Sequence, residues 1–201
     1  MPLLSRVHRA AVRSRRRRTT TLAAVLSTLV LFSGTVAFAA TGTPTSEYDL
    51  KAVFLFQFAH FVTWPARSFR SENSPITIGV LGKDPFGTTL DAIVADELVG
   101  GRKLVVRRYQ LVDQVDECHV LFISASEEPR LPSVLARLKG RSILTVGDTK
   151  DFAAQDGIVG FTVDKKRLKL RVNLAAADSA NLTISSKLLR QADVVRGQGK
   201  R

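Results

Sequence analysis

The chain has 201 residues, with 30 Lys and Arg against 18 Asp and Glu, a formal charge of +12 and one cysteine. A lone cysteine excludes an intrachain disulfide and a paired-cysteine metal site. The charge would argue for nucleic acid if it formed a stripe on a folded surface, but seven arginines are crowded into positions 6, 9, 13, 15, 16, 17 and 18, a region without a single acid.

That region opens an N-terminus with three parts. Arg15-Arg16-Arg17-Arg18 precede an apolar run from Leu22 to Phe38, which exits through Ala37-Phe38-Ala39. A basic stretch, an apolar stretch and an A-x-A site in this order predict a secretory signal over residues 1–39, with Ala37 and Ala39 marking the cleavage site. Ser27, Thr28, Ser33, Gly34 and Thr35 interrupt the apolar run. It is poor material for the roughly 20 apolar residues of a membrane span, and a retained anchor is the competing reading. The arginine pair before Thr19 leaves the general secretory and twin-arginine routes open. Removing residues 1–39 leaves 23 basic residues against 18 acidic, and no nucleic-acid partner is expected of a domain with a charge of +5. The expected compartment is the periplasm, and the remaining length suits one domain.

A polar leader over residues 40–46 precedes a domain over 47–196, with a disordered tail expected over 197–201. From Glu47 to Thr63 the pattern is helical. Leu50, Ala52, Phe54, Leu55, Phe58, Ala59, Phe61 and Val62 share one broad face with Lys51. Asp49, Gln57, His60 and Thr63 lie opposite, together with Val53 and Phe56. Trp64-Pro65 ends the helix, because the residue before a proline is pushed out of the α region.

Beyond a polar segment the chain alternates strands and helices. Strands are predicted at Ile76–Leu81, Lys103–Tyr109, His119–Ser124 and Ser142–Val146. Helices are predicted at Thr88–Leu98, stopped by Gly100-Gly101, at Pro129–Lys139 and, as a short one, at Asp148–Gln155. Ile158–Val163 and Leu168–Leu174 read as an antiparallel hairpin around Asp164-Lys165-Lys166-Arg167. A closing helix places Ile184, Leu188, Ala192 and Val195 on one stripe. The alternation predicts an α/β three-layer sandwich with a mostly parallel central sheet and a C-terminal antiparallel hairpin.

In such a sheet, ligands bind at the loops after the strand ends. Those loops offer a candidate small-ligand pocket from Asp84, Phe86, Ser124, Ser126 and Asp148. Gly82 to Gly87 matches neither the dinucleotide fingerprint nor the phosphate loop. Asp84 and Asp148 form a carboxylate pair only if their strands are neighbours. Otherwise each reads as a helix cap, as does Ser126 followed by Glu127 and Glu128. Cys118 and His119 are adjacent on a strand, so their side chains diverge. With His60 and His119 as the only histidines beyond the signal, neither a nucleophile–base set nor a zinc site can be assembled, and no enzyme activity, cofactor or metal is expected. Val53 and Phe56 remain. Either they are covered by an internal layer, or they form a contact surface for another chain.

Lys51-Ala52-Val53-Phe54-Leu55, Phe58-Ala59-His60-Phe61-Val62, Trp64-Pro65, Val80 to Gly87, Cys118 to Ser124, Leu144-Thr145-Val146 with Asp148, and Ile184 to Leu189 resemble, in that order, the motifs of the YfiR-like periplasmic proteins. The resemblance runs from about Glu47 to Val195. It implies a non-enzymatic periplasmic regulator. The family's namesake is a dimer that restrains an inner-membrane diguanylate cyclase by binding its periplasmic part, lowering cyclic-di-GMP and biofilm formation. The implied role here is a homodimeric repressor of such a cyclase or of another membrane sensor. Candidate partner or dimer contacts are Val53, Phe56, Gln57, His60 and Trp64. The rival reading is a periplasmic small-ligand sensor using the strand-end pocket. The family's further cysteines, which form disulfides, are missing, so any redox response would rest on Cys118 alone.

Overall fold

The computed structural model describes residues 46–195. The expected signal segment with Ala37 and Ala39, the leader up to residue 45 and the tail over 197–201 lie outside the described residues. Ser46, read as the end of the leader, starts the first helix. Its hydroxyl accepts from Asp49 N at 3.1 Å, and its own N–H donates to the Asp49 carboxylate at 3.0 Å. This capping box satisfies backbone donors that have no partner in the first turn.

The elements in chain order are α1 (Glu47–Phe61), β1 (Val62–Thr63), β2 (Ile76–Leu81), α2 (Thr88–Val94), β3 (Leu98–Val99), β4 (Arg102–Tyr109), β5 (Val120–Ile123), α3 (Leu131–Leu138), β6 (Leu144–Gly147), β7 (Val159–Asp164), β8 (Arg167–Asn173), α4 (Leu174–Ser179), β9 (Thr183–Ile184), α5 (Ser186–Leu189) and β10 (Ala192–Val195). Eight strands form one sheet in the order β10-β8-β7-β6-β5-β2-β4-β3, and β1 pairs with β9 in a separate ribbon. Strands β4, β2, β5, β6 and β7 run parallel; β8 turns back against β7, and β10 runs parallel to β8.

The three-layer α/β sandwich and the late antiparallel hairpin are present as expected. Alternate strand residues supply two cores, because successive side chains point to opposite faces. On one face Ile78, Val80, Val120, Phe122, Leu144 and Val146 meet Leu55 and Phe58 of α1, Leu90 of α2 and Ala177 of α4. On the other, Leu81, Leu121 and Ile123 meet Leu131, Val134, Leu135 and Leu138 of α3, with Phe152.

Two helical expectations are corrected. The helix from Thr88 stops at Val94; Asp96 takes a left-handed φ of 60°, and Leu98–Val99 instead pair with β4. Gly100-Gly101, with φ of 57° and 79°, are the tight turn of that hairpin and not a helix stop. The closing helix is reduced to α5. Ile184 belongs to β9, and the β-branched Val194-Val195 join β10, taking up ladder groups that β8 would otherwise leave unpaired. Two helix starts also shift: a 3-10 turn over Ala125–Arg130 precedes α3, and only Phe152–Gln155 of the short helix after Asp148 is helical, as a 3-10 turn.

Candidate functional site

The chain runs from β2 outward to β4 and returns on the other side of β2 as β5, so the strand order reverses between β2 and β5. Sheets of this kind bind ligands at the carboxyl ends of the strands flanking such a reversal. Here the protein fills the place with its own side chains. Gly82 leaves β2 at φ 87°, and a Cβ built on it would stand 2.4 Å from Ser126 Oγ and 2.6 Å from Glu127 Oε1. Ser126 Oγ accepts from Lys83 N at 2.9 Å, and the buried Glu127 receives both Nε (2.6 Å) and Nη2 (2.9 Å) of Arg130. Ser124, also buried, caps the 3-10 turn through Ser126 N.

Asp84 and Asp148 are not a carboxylate pair, because β5 stands between their strands. Neither caps a helix. Asp84 accepts from Phe86 N at 2.7 Å and from Arg108 Nε at 2.7 Å. Arg108 also donates to Gly87 O and to Asp91, and this guanidinium pulls the Asp91 carboxyl below its ordinary range. Phe86 is buried, edge-on to Phe122 (4.8 Å) and Tyr48 (5.8 Å). Its ring is part of the core that joins α1 to the strand ends.

Asp148 holds α1. Lys51 Nζ lies 2.5 Å from Asp148 Oδ2 and 2.7 Å from Glu47 Oε1, over the Tyr48 ring at 4.3 Å. The Lys51 side chain is 3% exposed and that of Asp148 8%. Burial works against the ammonium charge, but hydrogen bonds to Asp148 and Glu47 outweigh it and hold Lys51 above its ordinary pKa. Burial first, and then the Asp148 charge, raise the Tyr48 phenol. Asp148 Oδ1 and Thr149 Oγ1 are buried without a partner among the described residues.

On the outer side of α1, Val53, Phe56 and Gln57 are half-buried and His60 is exposed, with Phe56 edge-on to His60 at 5.1 Å. Trp64 is not part of this surface. It is buried, and its Nε1 donates to His119 O at 3.1 Å. His119 is buried beside it, stacked on Phe69 at 4.5 Å. Its Nδ1 accepts from Thr77 N at 3.1 Å and its Nε2 lies 3.2 Å from Ser68 O, which together select the neutral ring protonated on Nε2.

Residues 48–193, more than half of the chain, match the family model described as YfiR/HmsC-like. The chain belongs to this family. No curated protein matches it. YfiR/HmsC-like membership brings a regulatory theme connected with cyclic-di-GMP, and it covers both α1 and the residues that hold it.

Within this YfiR/HmsC-like domain Cys118 faces the α3 core while its neighbour His119 faces Trp64, so the two side chains diverge. Burial pushes the Cys118 thiol up to about 12, and its Sγ lies 3.2 Å from Val120 O. Clefts of about 360 Å³ and 380 Å³ open at the amino ends of β5, β6 and β7, the opposite end from Asp84, Phe86, Ser124, Ser126 and Asp148. Lys51 was visible as a cation inside an apolar stripe, a pattern that calls for a buried acid. Arg108 carried no such signal, since an arginine on an outer strand usually faces water.

Proposed function

We propose that this chain is a periplasmic, homodimeric repressor that binds the extracytoplasmic part of an inner-membrane signalling protein, a diguanylate cyclase, and so lowers cyclic-di-GMP output. The observation that carries the reading is the family match over residues 48–193. The state of α1 supports it. The apolar residues of this helix do not keep to one face, and a helix of that kind is normally covered on more than one side. Its inner residues Ala52, Leu55 and Phe58 are fully buried, yet Val53, Phe56 and Gln57 stay partly open beside His60.

A regulator of this kind acts by preferring one conformation of its target. A preference of about 1–3 kcal/mol between the active and inactive forms changes the populations by roughly 5- to 150-fold. No bond is made or broken. The Lys51–Asp148 contact has a positioning role, since it sets the helix on the sheet and hence the direction in which Phe56 and His60 project.

The test is a pull-down of the extracytoplasmic domains of co-encoded membrane proteins, with Phe56→Asp and His60→Glu as variants. Loss of capture in both, with the fold intact by circular dichroism, is the expected result. Capture equal to the parent in both would remove this face of α1 from the reading.

A further inference from the structure

Among the described residues the chain makes the same tight hairpin turn twice. Between β3 and β4 the two central residues with positive φ are Gly100 and Gly101, and between β7 and β8 they are Lys165 and Lys166, with φ of 48° and 64°. A two-residue turn of this type favours Asn-Gly or Gly-Gly, because a Cβ is strained there. Two lysines in succession weaken the turn, and strain kept at a surface tip points to a use for the side chains.

The surroundings say which use. Strand β6 pairs with β7 only at Val159 and Gly160, and β10 pairs with β8 only from Leu170 onward. Residues 162–169 are therefore a two-stranded ribbon paired only with itself, reaching about 10 Å past its neighbours at roughly 3.4 Å per residue. Asp164, the one acid in this ribbon, is taken by Lys169 at 2.7 Å. Lys165, Lys166 and Arg167 are exposed, with no carboxylate partner among the described residues. Directly behind them Val163 and Leu168 sit opposite each other; Val163 is 55% exposed, while Leu168 is half-buried against the core.

We propose that this hairpin docks the protein on an anionic phospholipid bilayer, with Lys165, Lys166 and Arg167 at the headgroup level and Val163 behind them at the acyl boundary. A protruding tip with three unpaired cations in front of an exposed valine complements a flat, negatively charged surface with an apolar interior.

The test uses the protein in the N-terminal form that the producing cell accumulates, compared with Lys165→Asn/Lys166→Gly in that same form. Vesicles of phosphatidylglycerol and phosphatidylcholine in equal parts should co-sediment the parent at low ionic strength, and pure phosphatidylcholine vesicles should not. Each lysine near an anionic surface contributes roughly fivefold, so the double variant should partition about 25-fold more weakly. Its urea midpoint should hold or rise, because Asn-Gly suits the turn. Parent-like binding of the variant, or equal binding of the parent to both vesicles, overturns the proposal. Indifference to vesicles together with hairpin-dependent retention on polyglutamate would also overturn it, and would give the tip to an acidic protein instead.

Discussion

Lys51 and Asp148, 97 residues apart in the chain, meet at 2.5 Å with both side chains more than nine-tenths buried. Removing one partner of such a pair strands a charge in a place water does not reach. Lys51→Met should therefore cost about 3–5 kcal/mol in urea unfolding. Lys51→Met/Asp148→Leu, which removes both charges and fills the space, should recover most of that loss. A double variant no more stable than the single one would show that the pair is needed for more than neutralising charge.

His119 predicts loss of stability in acid. Burial lowers its pKa in the folded state, and its Nδ1 must stay unprotonated to accept from Thr77 N. Arg102, stacked on Phe69, disfavours a second charge, while Glu117 and the Ser68 carbonyl favour it. Since the folded pKa lies below the unfolded value near 6.5, the unfolded chain binds the proton first. The stability from this residue is complete above about pH 6.5 and is lost as pH falls through the folded pKa, at up to about 1.4 kcal/mol per pH unit. Gln at position 119 supplies one acceptor and one donor without titrating. His119→Gln should flatten the slope of urea midpoints between pH 7.5 and 5.

Cys118 should behave as an inert thiol. With its pKa pushed up to about 12, only about one molecule in 10,000 carries the thiolate at pH 8. The native protein should fail to react with a thiol reagent over a time in which the urea-unfolded chain reacts fully. Rapid native labelling would contradict the buried position and reopen the thiol as a redox sensor.

Gly82→Ala should destabilise the domain by at least about 2 kcal/mol. The new methyl needs an unfavourable φ and overlaps Ser126 and Glu127 at once. Hydrogen exchange should rise together in residues 82–87 and 124–130, because each loop holds the other through Lys83 N and Ser126 Oγ.

The layers and the order of strands and helices could be read from the chain because strands such as Ile76–Leu81 and Val120–Ile123 are short runs buried on both faces, as parallel strands covered by helices on either side must be. The C-terminal strand could not. Ala192 and Val195 fit a helical stripe with Ile184 and Leu188 as well as they fit a strand, and only the open edge of β8 decides between the two. Asp148 looked like a cap for the same reason. An Asp after a strand has the local features of a cap, and nothing near it in the chain reveals a lysine 97 positions earlier. The outer face of α1 was legible, since Val53 and Phe56 break the helix's two-sided pattern, whereas Trp64 was not, because its burial depends on His119 arriving from β5.

The Lys51–Asp148 contact also sets an order of events. Helix α1 is made first, but the acid that holds it comes 97 residues later, and the ring against which Phe54 and Phe58 pack, Phe161, later still. At roughly 5–20 residues per second, about 5–20 seconds pass between the two ends of the contact leaving the ribosome. For that interval the most aromatic segment of the domain has no core to enter.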